Sequence, residues 1–124
     1  MPLIIITKNS KKISRHTLAG LAKSLPACVA RKLHIKSVKD AHLTPADIEV
    51  KINERGRYDT YHHDVEVVIL ASHFPEREAN LPRITSEISA YVQGYLNGLP
   101  SEEGPTISGF VWIRLAPSGF SEWR

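Results

Sequence analysis

At 124 residues, with 42% apolar and 23% charged side chains, the chain has the size and balance of one globular domain that can build its own core. It contains no apolar run near the roughly 18 residues of a membrane span, nothing in it reads as a signal peptide, and a lone Cys28 excludes an internal disulfide, so a cytoplasmic protein with no membrane partner is expected. Net charge is +3 but uneven: no acid precedes Asp40, and the basic first part carries no Phe, Tyr or Trp to stack on bases, so nucleic acid is not expected as a partner.

The run Leu3-Ile4-Ile5-Ile6-Thr7 reads as a short buried strand, with Pro2 tolerated at its start where a missing N–H costs least. Ser14 is a good N-cap for a helix carrying Leu18, Leu21, Leu25 and Val29 at helical spacing, which Pro26 is expected to kink. His34 to Pro45 reads as a loop. Ile48 to Asn53 alternates as a strand with one buried face, and Glu54 to His63 is a polar excursion. Val65 to Ala71 is the most strand-like run. After Ser72-His73-Phe74-Pro75 a single helix is expected, with Leu81, Ile84, Ile88, Val92 and Tyr95 on one face and Pro82 in or near its first turns. Gly98-Leu99-Pro100 stops it, and a loop rich in Ser, Glu and Gly leads to the last strand, Phe110 to Leu115. Ala116 to Arg124 is a turn with a short extension.

Laid on each other at an offset of about 62 residues, the two halves (2–60 and 64–124) match strand for strand and helix for helix. Two tandem βαβ units imply parallel pairing within each unit and a four-stranded α/β sheet with both helices on one face. The other face is then apolar and uncovered, and another copy of the chain has to cover it. The basic residues from Arg15 to Lys39 are read as an outer helix layer.

Pro2 also carries a chemical reading. If Met1 is removed, Pro2 presents a secondary amine at the end of a buried strand, where burial and nearby cations pull its pKa below the ordinary α-amino value of about 8. That is a general base poised near neutral pH. A base of this kind needs cations to anchor an anionic substrate and stabilise its enolate, and arginine grips a carboxylate bidentately. Arg77, on what reads as an exposed loop beside the third strand, Arg114 on the last strand, and Arg55 or Arg57 after the second are the candidates, with Lys12 as a further cation. The six histidines do not suggest a metal: His62 and His63 are adjacent and point to opposite sides of a strand, and no helical His-x-x-x-His pair exists. Neither a metal nor a cofactor is expected.

The tandem βαβ plan, the strand opening at Met-Pro and the chain length resemble the tautomerase superfamily, which includes 4-oxalocrotonate tautomerase, macrophage migration inhibitory factor and the chloroacrylic acid dehalogenases. The resemblance implies a trimer, an N-terminal proline as acid or base, and a small carboxylate substrate undergoing proton transfer, with dehalogenase-like water addition or a catalytically silent trimer as alternatives. Pro2 to Thr7, Lys12 and capping Ser14 are similar to the family's opening strand, loop cation and helix start. Ser72 to Leu81 is similar to the loop of the cis-3-chloroacrylic acid dehalogenases in which two arginines grip the substrate; Arg77 matches the second, and Phe74 stands at the first. Trp112 and, across a one-residue gap, Glu122 resemble that group's aromatic residue and water-activating acid. Glu49 stands where 4-oxalocrotonate tautomerase carries an arginine.

Overall fold

In the computed structural model, which describes residues 2–98, 106–119 and 121–124, the chain runs β1 (Leu3–Lys8), α1 (Arg15–Leu33), β2 (Glu49–Glu54), β3 (Val65–Ser72), α2 (Pro75–Ala79), α3 (Leu81–Asn97) and β4 (Gly109–Ala116). Two 3-10 turns, Lys39–Ala41 and Pro45–Asp47, lie in and just after the segment expected as a loop. The expected Ser- and Glu-rich loop before β4 falls mainly outside the described residues.

Alternation sets which side of each strand is buried. Ile4 and Ile6 of β1, and Val65, Val67, Ile69 and Ala71 of β3, point to the helices and are buried. They meet Leu18, Leu21, Leu25 and Val29 of α1 and Ile84, Ile88 and Val92 of α3 in one core. The Ser14 hydroxyl caps α1 by accepting the Thr17 N–H at 3.1 Å. Pro26 sits buried inside one continuous 19-residue helix, so burial offsets the backbone bond it cannot make.

The strand order is β2-β1-β3-β4. β1 pairs parallel with β2, β3 pairs parallel with β4, and β1 meets β3 antiparallel at the centre. This is the expected pair of βαβ units.

Two local expectations are corrected. The helix after His73 is two helices meeting at Asn80. Pro82 has no N–H to give the Glu78 carbonyl one turn back, and at the break Asn80 donates its side chain to the Glu76 carbonyl at 2.8 Å. The strand expected to have one buried face, β2, is almost wholly exposed, with Ile52 at 43%. It is an edge strand: Ile48 just before it is buried and Val50 packs partly against the core, while Ile52 stands out near its end.

On the face away from the helices, Leu3 and Ile5, Val68 and Leu70, and Phe110 and Trp112 form an apolar surface across β1, β3 and β4. No described element of the chain covers it.

At the sheet end where β1 finishes and β3 begins, a polar knot joins the two units. Asn9 donates its backbone N–H to the Asp64 carbonyl at 2.9 Å and its side chain to the His63 carbonyl at 3.0 Å. The Asp64 carboxylate accepts the Ser108 N–H at 3.0 Å, and Lys12 stands 3.7 Å away. The Ser108 N–H above all, with Ser10, Lys12 and the Ser108 hydroxyl adding to it, holds the Asp64 carboxyl below the ordinary range. A depressed folded pKa stabilises the protein above the unfolded value of about 3.9, and this contribution is lost as pH falls through the folded value. Asp64→Asn should therefore be less stable than wild type at pH 7, and the gap should close below about pH 4. Urea unfolding across that range checks this; a gap independent of pH would show the carboxylate charge to be irrelevant.

Candidate active site

The pairing register decides what gathers at the other end of the sheet. Leu3 lies opposite both Glu49 and Leu70, and Ser72 opposite Ala116. The starts of β1 and β2 therefore lie beside the ends of β3 and β4. A cleft of about 720 Å³ opens there. Pro2 lines it from the start of β1, Asp40, His42 and Asp47 from the segment before β2, and Ser72, His73 and Arg77 from the end of β3 and the start of α2.

Pro2 is buried, and its carbonyl accepts the Glu49 N–H at 3.3 Å. Arg77 corrects the sequence expectation of an exposed loop cation: it is 3% exposed. Its Nε donates to the Leu33 carbonyl at 2.9 Å and an Nη to the Ser72 carbonyl at 3.0 Å, with the Phe74 ring 4.8 Å from the guanidinium. Burial lowers its pKa, but arginine stays charged. The guanidinium thus caps the end of α1, satisfying a carbonyl orphaned there, and ties it to the end of β3.

The cleft also contains negative charge that the sequence reading did not weigh. Asp47 accepts the Thr44 N–H at 2.8 Å and its hydroxyl at 3.1 Å, and these bonds keep its carboxyl below the ordinary range. His42 donates Nε2–H to the Lys36 carbonyl at 2.8 Å and stacks on His34 with ring centroids 4.9 Å apart.

The remaining candidates spread out. Arg114 lines an adjoining hollow of about 410 Å³ on the uncovered face, with Leu3, Leu70 and Leu115. Its guanidinium lies 5.0 Å from the Trp112 ring, which is 53% exposed. Ser72 and Ser118, whose hydroxyls are hydrogen-bonded, line both spaces. Lys12 lies at the opposite end of β1, in the Asp64 knot, away from Pro2 of its own chain. Glu122 lies on the exposed tail, paired with Arg124, and does not line the cleft. Arg55 and Arg57 lie over Tyr61 and Tyr58 in the exposed loop after β2.

Pro2 and Arg77 are thus brought together, with Arg114 next door. Asp40, Asp47, His42 and Ser118 were missed as site residues because nothing local marks them; they reach the cleft only through the strand pairing. His73 stood in the same loop as Arg77, and that proximity was the available signal.

No family model matches the chain, and no curated protein matches it in sequence. Its backbone is similar to solved structures over almost its whole length. One is a malonate semialdehyde decarboxylase, 10% identical with a TM-score of 0.60, covering 98% of this chain and 92% of that one. A member of the cis-3-chloroacrylic acid dehalogenase family is 12% identical with a TM-score of 0.57, covering 93% and 75%. A fused 4-OT in an asymmetric trimer is 13% identical with a TM-score of 0.59, covering 93% and 86%. The chain has the tautomerase fold. Within the tautomerase fold, Pro2 stands just before β1, one of the two central strands, and lines the cleft.

Arg77→Ala should unfold at lower urea concentration, by about 2–3 kcal/mol, because two backbone carbonyls lose a charged donor in a buried place. Arg77→Lys should recover only part, since an ammonium cannot reproduce the fork. Equal midpoints for Arg77→Ala and wild type would show that the guanidinium does not hold the fold.

Proposed function

We propose that this protein is a homotrimeric, cytoplasmic tautomerase or isomerase in which Pro2, freed by removal of Met1, moves a proton on a small unsaturated or 2-keto carboxylate without a cofactor. The observation that carries this reading is a buried Pro2 just before β1, in a cleft it shares with the buried cation Arg77, within a tautomerase fold.

The chemistry follows from the groups present. The secondary amine takes a proton from the carbon beside a carbonyl, and the C–H electrons move onto the carbonyl oxygen. The enolate so formed is stabilised by positive charge in a cleft of low dielectric. Two of the Arg77 donors are committed to backbone carbonyls, so it contributes charge more than a bidentate grip. Arg114, stiffened against Trp112 beside an apolar hollow, suits the substrate carboxylate and its hydrocarbon part. The proton then returns from Pro2.

Burial opposes the charged amine, while the Asp40 and Asp47 carboxylates favour it. With desolvation the larger effect at a buried proline, kcat/KM should rise with an apparent pKa below about 8. Pro2→Ala should lose about 10²-fold or more, and a protein with any residue left ahead of Pro2 should be inactive, since an amide nitrogen takes no proton. Intact mass and turnover of 2-keto acids measured on the same sample check both. Turnover by a Met1-retaining sample equal to that of the processed protein would sink the mechanism and leave a silent trimer, or water addition through Glu122, as the readings to pursue.

The trimer rests on the uncovered apolar face, which carries Leu3, Ile5, Val68, Leu70 and Trp112. Three sheets closing on these faces bury them together and leave the helices outside. Light scattering at micromolar concentration should give three times the chain mass of 13.9 kDa; a stable monomer would refute the assembly.

A further inference from the structure

The basic first part of the chain has no aromatic residue of its own, but the fold brings two to it. The loop from Arg55 to His63 is fastened at both ends to the segment that follows β1. At its start the Arg55 N–H donates to the Lys8 carbonyl at 2.9 Å, just past the last β1–β2 pair of Lys8 with Glu54. At its return Asn9 bonds the His63 and Asp64 carbonyls. Tyr58 and Tyr61 are thereby tethered to the turn that carries Lys11 and Lys12. The Gly56 N–H donates to Asp59 Oδ2 at 2.7 Å and the Asp59 N–H to the Gly56 carbonyl at 3.1 Å, so Arg57 and Tyr58 form the tip of an ordered turn. Tyr58 is 88% exposed, with the Arg57 guanidinium 5.6 Å from its ring centre, and Arg55 lies 4.6 Å from the ring of the partly exposed Tyr61.

Charge at this end of the sheet is positive, and the acids of the loop and its flanks are already engaged. Glu54 pairs with Arg15 at 3.2 Å, Asp59 closes the turn, and Asp64 is buried against Ser108. The first turn of α1 carries Arg15 and no acid, although a helix N-terminus is itself positive and ordinarily draws acids. Cations gathered there repel one another and the helix dipole, and a polyanion from outside relieves that repulsion. We infer that the end of the sheet away from Pro2 binds single-stranded nucleic acid, with phosphates on Lys11, Lys12, Arg55 and Arg57 and bases stacked on Tyr58 and Tyr61. An acidic peptide would use the cations and leave the tyrosine rings idle. A duplex keeps its base faces inside its own stack. A single strand offers phosphates and open bases together, and stacking of this kind tolerates any base. The surface lies at the opposite end of the sheet from the Pro2 cleft and does not depend on the reading of Pro2.

The test uses the full chain and fluorescein-labelled oligo-dT and oligo-U of about 15 nucleotides, a length that one such surface can engage. Anisotropy is read across a salt series. Wild type should bind, with log affinity falling against log salt by about 0.7 per phosphate contacted. The strand bound more tightly identifies the source as DNA or RNA. Tyr58→Ala should weaken binding about 10-fold at fixed salt without changing the slope, and Tyr58→Phe should bind as wild type does. The double variant Arg55→Gln, Arg57→Gln should flatten the slope by about 1.4. Absence of binding by wild type at low salt would overturn the inference. So would affinity left unchanged by Tyr58→Ala. Polyglutamate that competes as strongly as unlabelled oligonucleotide would also overturn it, and would assign the surface to acidic protein segments.

Discussion

The antiparallel register of β1 on β3 is the constraint on which the rest of the molecule depends. It joins two βαβ units that otherwise share only loops and helix contacts, and it does so through six residue pairs from Leu3–Leu70 to Lys8–Val65. Both strands present an apolar row to the helices, so a slip of one residue would turn every buried side chain outward. The same register places Pro2 opposite the last turn of chain before His73 and Arg77. Because each unit pairs its own strands in parallel, strand starts from one unit meet strand ends from the other. The cleft is a direct geometric result of that pairing.

Arg77 shows how closely support and chemistry are combined here. A solvated loop arginine would be free to grip a substrate; this one is buried and bonded to two carbonyls, one at the end of α1 and one at the end of β3. Its charge remains in the cleft, held in place and poorly screened, which suits stabilising a developing enolate. The cost of that arrangement is versatility. Arg114, stacked on Trp112, opens toward the uncovered face, where a second copy of the chain would complete its surroundings.

The electrostatics also differ from the simple picture of a proline surrounded by cations. Asp40 and Asp47 share the cleft with Arg77, and Glu78 holds His73. The Thr44 bonds hold the Asp47 carboxyl below the ordinary range, and burial lowers Arg77, which stays charged. Lys12, by contrast, acts at the far end of the sheet, where with Asn9, Asp64 and Ser108 it secures the junction between the units.

What the sequence determined by itself was the periodic part of the structure. Alternation in Leu3 to Lys8 and Val65 to Ser72, and the helical stripe from Leu18 to Val29, are local signals set by backbone geometry, and two rounds of them imply the tandem βαβ sheet. Pro2 was legible as the residue just before the first strand, where a missing N–H costs least. The exposure of β2, the break at Asn80 and the burial of Arg77 were not legible, because each depends on what packs alongside rather than on the residues themselves. Only the tertiary structure decided which polar groups meet. Asp40, Asp47, His73 and Ser118 come from segments far apart in the chain, and long-range strand pairing alone, which a local pattern cannot express, brings them to Pro2 and sends Lys12 to the other end.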